Sequence, residues 1–137
     1  MAQNQWIVDL ENKVFSLVKG KTYSKLKEKY PGILYTTTSM NYDAKSNFPC
    51  VYIHQLGNSE THSDLERSRV STITAGYQIE VYSNVSQRDC MYIMAEITDC
   101  MKQLLFTVKL SPYVDNQAPT FRCIARFERI LDWNDIF

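Results

Sequence analysis

Residues 70–85 decide the fold class, and they read Val-Ser-Thr-Ile-Thr-Ala-Gly-Tyr-Gln-Ile-Glu-Val-Tyr-Ser-Asn-Val. One parity is apolar and comprises Ile73, Ala75, Tyr77, Ile79, Val81 and Val85. The other parity is largely polar and includes Thr72, Thr74, Gln78, Glu80 and Asn84. An alternation of period two over this length predicts one long, half-buried β-strand. On this prediction Glu80 lies on a solvated outer face.

The hydrophobic period changes from strand-like to helical directly after this strand. Ser86 followed by Asp89 has the spacing of a helix N-terminal capping box. An apolar stripe at helical spacing comes next and consists of Cys90, Ile93, Met94, Ile97, Met101, Leu104 and Leu105. The pattern predicts a principal helix that ends near Leu105.

The segments on either side of this strand and helix also favour strands. Residues 106–116 predict a strand or extended arm that closes in a turn from Pro112 to Asn116. Residues 120–131 alternate again and predict the last strand. Before residue 70, the stretches 33–39 and 50–56 are rich in the β-branched and aromatic residues that suit a pleated sheet.

The N-terminal part of the chain predicts a further helix and two loops. Apolar residues recur at three- and four-residue steps over 4–19, which predicts an amphipathic helix with Gly20 as its stop. A short second helical piece is expected over 22–29. Residues 41–49 are polar, and residues 57–69 predict a long exposed loop of the kind that is often functional.

The order of elements is therefore helix, strands, helix, strands, without an internal repeat. This order predicts an α+β fold in which two main helices pack on one face of a mixed, mainly antiparallel sheet. A length of 137 residues suits a single domain spanning 1–137. A chain of this size buries enough surface to fold without disulfides or a structural metal.

Composition narrows the classes of function. Lysine and arginine number 15 and so do aspartate and glutamate, which gives a formal net charge of zero. This balance disfavours sequence-wide DNA binding. The apolar runs fall short of the roughly 18 residues that span a bilayer, and residues 1–5 lack a signal segment. We therefore expect no membrane partner and synthesis in the cytoplasm.

Motifs for catalysis, cofactors and metals are missing from the sequence. The four cysteines, at positions 50, 90, 100 and 123, form no C-x-x-C pair and are expected to be buried, reduced thiols. The isolated glycines form no phosphate cradle. Glu80 and Glu128 fall on predicted strands without a pocket for acid-base chemistry. We assign no catalytic, cofactor-binding or metal-ligating residue, and we expect no enzyme.

Aromatic residues are more informative than charges. The chain has nine tyrosines and two tryptophans, and aromatic side chains supply large contact areas in protein interfaces. Those near strand ends or turns are the interface candidates, namely Tyr42, Tyr82, Tyr113 and Trp133. Acidic residues lie among both basic clusters: Glu28 among the lysines at 25, 27 and 29, and Asp64 and Glu66 beside the arginines at 67 and 69. A solvated face is therefore favoured over phosphate binding for both clusters.

Four stretches carry a resemblance to a known family. They are Phe-Pro-Cys-Val-Tyr-Ile at 48–53, Gly-Tyr-Gln-Ile-Glu-Val-Tyr-Ser-Asn at 76–84, Asp-Cys-Met-Lys-Gln-Leu-Leu-Phe at 99–106 and Phe-Arg-Cys-Ile-Ala-Arg-Phe at 121–127. In them the chain resembles the small tail-terminator proteins, also called tail-completion or head-tail joining proteins, of long-tailed bacteriophages. These stretches are packing patterns rather than chemical motifs.

The resemblance implies a structural virion protein without catalysis. Such a protein assembles as a ring, expected to be hexameric, that caps the finished tail tube and offers a docking surface to the head connector. Its partners would be further copies of itself, the tail tube protein and the head-tail connector or stopper protein. DNA would only pass through the lumen. The chain would be made in the host cytoplasm and end at the head-proximal end of the tail. Zero net charge and the lack of a coiled-coil seam are compatible with monomers before assembly.

Interface roles follow from this expectation. We expect a tail tube to order the loop over 57–69, as happens in segments that fold on binding. The expected intersubunit or tube-facing charges are Asp64, Glu66, Arg67 and Arg69. Trp133 and Phe137 are the expected C-terminal anchor.

Two other classes of function stay open at this point. A different small head-tail connector component, such as a stopper or adaptor, would share the structural class and contact the portal side. A small-molecule-binding or enzymatic α+β domain would need a pocket with convergent polar groups.

Overall fold

The computed structural model describes residues 5–37, 48–57, 59–63, 70–116 and 119–132, with the backbone alone for 59–63, 70 and 71. Within these residues the chain forms two α-helices and six β-strands. In chain order they are α1 (Gln5–Leu26), β1 (Leu34–Thr36), β2 (Cys50–Gln55), β3 (Ser59–Ser63), β4 (Val70–Ser83), α2 (Gln87–Gln103), β5 (Thr107–Val114) and β6 (Phe121–Asp132).

The six strands form one sheet in the order β1-β2-β4-β6-β5, with β3 paired to β4 beside this path. Strands β1 and β2 are parallel, and every other pair is antiparallel. β2 and β3 pair with successive parts of the same edge of β4, because β6 occupies its other edge. The predicted α+β fold, a mixed and mainly antiparallel sheet with the helices on one face, is confirmed.

β4 is the central strand that the alternation predicts. Its apolar parity from Ile73 to Val81 is buried against the helices. From Thr72 to Ser83 every residue has a partner in β6. The strand ends at Ser83, however, so Val85 lies beyond it and is 73% exposed. The assignment of Val85 to the buried parity is wrong for that reason.

α2 begins as its capping signal predicts. Ser86 has extended backbone, and its Oγ accepts a hydrogen bond from the Asp89 backbone N–H at 3.1 Å. This bond satisfies one of the amide groups that a helix start leaves without an intrahelical partner. The acidic Asp89 also lies in the first turn, where it complements the helix dipole.

The end of α2 differs from the prediction at Leu105. The Leu105 N–H donates to the Lys102 carbonyl, and the Phe106 N–H donates to the Met101 carbonyl, both at 3.0 Å. These two bonds form a Schellman motif, with Leu105 in left-handed conformation at φ 66. That conformation turns Leu105 out of the apolar stripe, and its side chain is 70% exposed.

α1 is one continuous helix instead of two pieces. Gly20, the predicted stop, lies inside it and is exposed. The buried positions of α1 are Leu10, Val14, Val18, Thr22 and Leu26. This four-residue spacing continues across Gly20, so packing against the core outweighs the roughly 1 kcal/mol that glycine costs in a helix interior. The predicted separate piece over 22–29 is wrong.

β3 corrects the prediction of an unstructured loop over 57–69. Ser59 pairs with Thr74, and Ser63 pairs with Val70. β4 extends beyond the end of β2, and β3 supplies partners for backbone groups there. Residues 64–69 and the predicted loop residues 41–47 lie outside the described part of the chain.

The core lies between the helices and the sheet. Tyr77 and Phe127 are its largest fully buried side chains, and the Tyr77 ring meets Phe106 edge to face at a centroid distance of 5.6 Å. All four cysteines are buried free thiols, which confirms that prediction. Among residues 5–26 and 87–103, which form the two helices, no stretch is long and apolar enough to cross a membrane.

Candidate interface on the open face of the sheet

The face of the sheet opposite the helices, here called the open face, carries a set of polar and aromatic side chains. Residues opposite one another in the sheet register point to the same face. One row therefore crosses four strands as Tyr52, Glu80, Ile124 and Tyr113. The adjacent row joins Cys50, Tyr82 and Arg122.

A charged network joins these two rows. Glu80 Oε1 accepts hydrogen bonds from Arg122 Nη2 and, at 3.1 Å, from the Tyr82 hydroxyl. Arg122 Nη1 donates to Asp115 Oδ2 at 3.2 Å. The Arg122 guanidinium also lies 5.7 Å from the Tyr82 ring centroid, within cation-π range. One arginine thus connects β4, β6 and the end of β5.

The position of Glu80 corrects its assignment to a solvated face. The Glu80 side chain is 5% exposed and the Arg122 side chain 14%. Burying a carboxylate is costly unless it is paired and hydrogen-bonded, and the Glu80 carboxylate is both. The strand parity of Glu80 is as predicted. Its partner lies in β6, far away in sequence, so the alternation of β4 alone gives no signal of the pairing.

A further ionic contact, between Lys109 and Glu128, is weak. Lys109 Nζ lies 3.9 Å from Glu128 Oε1, and the two side chains are 57% and 39% exposed. An ion pair this accessible to water contributes about 0–1 kcal/mol. Glu128 is therefore a partly solvated residue, close to its prediction.

The predicted interface tyrosines have different surroundings. Tyr82 is 4% exposed and helps to hold Glu80, so its ring is covered within one chain. Tyr113 is 43% exposed on β5, the strand at one end of the sheet order. The other predicted interface residues lie outside the described residues; they are Tyr42, Asp64, Glu66, Arg67, Arg69, Trp133 and Phe137.

β5 is an edge strand, and two of its residues oppose pairing with strands of other molecules. Pro112, which the sequence assigns to a turn, lies inside this strand. Proline has no N–H to donate, so it is tolerated at a sheet edge. Pro112 and the exposed Lys109 are both devices that limit edge-to-edge aggregation.

The four buried cysteine thiols favour the protonated form. Burial raises the thiol pKa of Cys50 and Cys123 to about 11 and that of Cys90 to about 12, and it also raises that of Cys100. Thiolates are the nucleophilic and metal-binding form of cysteine, so these environments oppose both uses. In the part of the chain that is described, no group of three or more His, Cys, Asp or Glu could hold a metal ion.

Several exposed apolar side chains were not predicted from sequence. Val85, Leu105 and Ile130 are each more than 60% exposed, and Met91 and Tyr92 are nearly half exposed. Ile130 belongs to the open-face parity of β6, which is the one available sequence signal. Comparison of the chain with protein-family models gives no match, and comparison with curated proteins gives none either.

Proposed function

We propose that this chain is a structural virion protein that caps a completed phage tail tube as a ring and docks the head connector. The proposal rests on the resemblance of four stretches to tail-terminator proteins. The observation that carries it is where those stretches lie in the fold. They form one continuous packing unit rather than scattered segments.

The three strand-forming stretches lie side by side. Residues 48–53 enter β2, residues 76–84 form most of β4, and residues 121–127 form the first half of β6. These strands are direct neighbours in the order β2-β4-β6. Residues 99–106 include the end of α2, which packs on β4 and β6. A shared pattern in such a unit favours a shared fold core.

The surfaces available to partners are consistent with an assembly protein. The edge strand β5 presents Tyr113, and the open face carries a polar network that fixes the strands relative to one another. Rigid, aromatic-bearing surfaces lose little entropy on binding. We assign tube or subunit contacts to Asp64, Glu66, Arg67 and Arg69 and an anchoring role to Trp133 and Phe137.

Cryo-electron microscopy of purified virions, or of tails mixed with this protein, tests the proposal. We expect a ring of copies at the tail end that meets the head. Binding to purified heads but not to tails would identify a stopper or adaptor instead. If the protein binds neither, the proposal is wrong, and a thermal-shift screen of metabolites would test for a ligand-binding domain.

Charge reversal tests the assigned loop. We expect Arg67→Glu with Arg69→Glu to lower the number of infectious, joined particles. Lys19→Glu is the control, because Lys19 is an exposed lysine on α1 and its substitution reverses the same sign of charge. Unchanged particle counts in the double variant would remove the loop from the mechanism.

A further inference from the structure

Exposed apolar side chains lie at the two opposite ends of α2. Tyr92 and Met91, near the N-terminal end, are 44% and 49% exposed. Leu105, directly after the C-terminal end, is 70% exposed, and Ile130 of β6 is 64% exposed. At a rise of about 1.5 Å per residue, roughly 20 Å of helix separates Tyr92 from Leu105. The two patches are therefore distinct surfaces.

The patch at the C-terminal end is concave and is called the socket below. It is a shallow depression of about 420 Å³ lined by Leu105, Thr107, Glu128, Arg129 and Ile130. Leu105 occupies a left-handed position that normally favours glycine, at φ 66. Glycine at this position would relieve the backbone strain, and it would remove an apolar side chain that is now in contact with water. The exposed leucine is thus unfavourable for the isolated chain.

The patch at the N-terminal end is called the knob and is built around Tyr92. The Lys29 Nζ lies 4.2 Å from the Tyr92 ring centroid and 5.7 Å from that of Tyr30. Tyr30 is held in turn, because its hydroxyl donates to Asp89 Oδ1 at 2.9 Å. The exposed Tyr92 ring therefore lies next to Tyr30, which is held by its hydrogen bond, and the Lys29 ammonium lies close to the Tyr92 ring.

We propose that the knob of one copy of this chain docks into the socket of the next copy. The Tyr92 ring covers Leu105 and Ile130, and Lys29 approaches Glu128, whose side chain is 39% exposed and only weakly paired with Lys109. Arg129, which also lines the socket, donates to the Leu104 carbonyl at 2.8 Å. Two different patches in contact make a heterologous interface, which closes into a ring when the rotation allows. The inference rests on the proposed ring and names the surfaces that form it.

Site-directed cross-linking tests this contact even when association is weak. An Arg88→Cys chain carries a thiol one helical turn before Tyr92, and an isotope-labelled Thr107→Cys chain carries one at the socket. A short bismaleimide added to the mixture is expected to give mixed dimers of the two chains, with neither chain linking to itself. The native thiols are buried, so they do not compete. In the control, Val8→Cys replaces Arg88→Cys and is expected to give no mixed dimer, because Val8 is an exposed position on α1 rather than α2.

A second variant separates binding from folding. Leu105→Gly in the Thr107→Cys chain is expected to abolish the mixed dimer and to raise the urea midpoint of unfolding. Val8→Ala in the same chain shortens a similarly exposed apolar side chain outside both patches and is expected to keep the mixed dimer.

Three results would overturn the inference: mixed dimers no more abundant than in the Val8→Cys control, self-linked Arg88→Cys dimers in excess, or cross-linking unchanged by Leu105→Gly. Failure of the proposed function is a separate result, because it would appear as a virion without this protein at the tail end. A ring located there but lacking the knob-socket contact would refute the inference alone.

Discussion

Removing the Tyr77 hydroxyl is expected to stabilise the protein. Tyr77 is fully buried, and among the described residues its hydroxyl has no hydrogen-bond partner. Burial also raises the Tyr77 pKa, so the group stays neutral. Tyr77→Phe keeps the ring and its edge-to-face contact with Phe106. The substitution deletes only an atom that is more favourably solvated in the unfolded chain.

The magnitude follows from two opposing contributions. An unpartnered buried hydroxyl costs about 1–3 kcal/mol. Deleting one oxygen leaves a void that costs roughly 0.4 kcal/mol at about 24 cal/mol per Å³. The free energy of unfolding should therefore rise by about 1 kcal/mol, which corresponds to about 3 °C in Tm for a domain of this size.

Tyr35→Phe is the matched control. Tyr35 is 6% exposed, and its hydroxyl bonds to Thr22 Oγ1 at 2.7 Å. Losing that bond should lower the free energy of unfolding by about 1 kcal/mol. Urea titration followed by tryptophan fluorescence measures both variants. If Tyr77→Phe is destabilised as much as Tyr35→Phe, the Tyr77 hydroxyl is hydrogen-bonded and the reasoning is refuted.

Three further predictions concern stability. Gly20→Ala should raise the free energy of unfolding by about 0.5–1 kcal/mol in a urea titration. Gly20 lies inside α1, and a Cβ added there meets no atom within 4 Å. No gain in stability would mean that α1 is broken at this residue. Glu80→Ala should lower the free energy of unfolding by about 3 kcal/mol, because Arg122 loses its buried partner. The double variant Glu80→Leu with Arg122→Leu should recover much of that loss. Equal losses in the two variants would contradict the pairing. The free energy of unfolding should fall between about pH 9 and pH 11. The thiols of Cys50 and Cys123 ionise in this range in the unfolded chain, whereas in the folded chain, with pKa values of about 11, they keep their protons. Urea titrations that give a constant free energy of unfolding across this range would contradict this prediction.

The fold was predictable from sequence where one periodicity dominates a long segment. The alternation through Ile79 locates β4, and Ser86 with Asp89 marks the start of α2. Gly20 misled the prediction of α1, because local propensity is weaker than the buried four-residue stripe that continues past it. β3 was missed because its strand character comes from backbone pairing with β4 rather than from its own polar residues.

The candidate surfaces were less predictable than the fold. The burial of Glu80 depends on Arg122, and the exposure of Leu105 depends on a backbone conformation at the end of α2. Neither feature changes the hydrophobic periodicity of the sequence, so the periodicity could not predict them. Of the predicted interface tyrosines that the structure describes, Tyr113 is 43% exposed and Tyr82 is buried; the interface role of both stays a prediction.

The pairing of β4 with β6 has a consequence for the kinetics of folding. Its pair with the smallest sequence separation, Ser83 with Phe121, encloses the whole of α2 and β5. Helices form within about a microsecond, whereas contacts between residues far apart in sequence must first overcome the entropy of closing the chain between them. A chain folding from an extended state therefore gains its longest ladder only after α2 turns back along β4. The reversal at residues 84–86, between Ser83 and the start of α2, belongs to the segment that must close before this ladder can form.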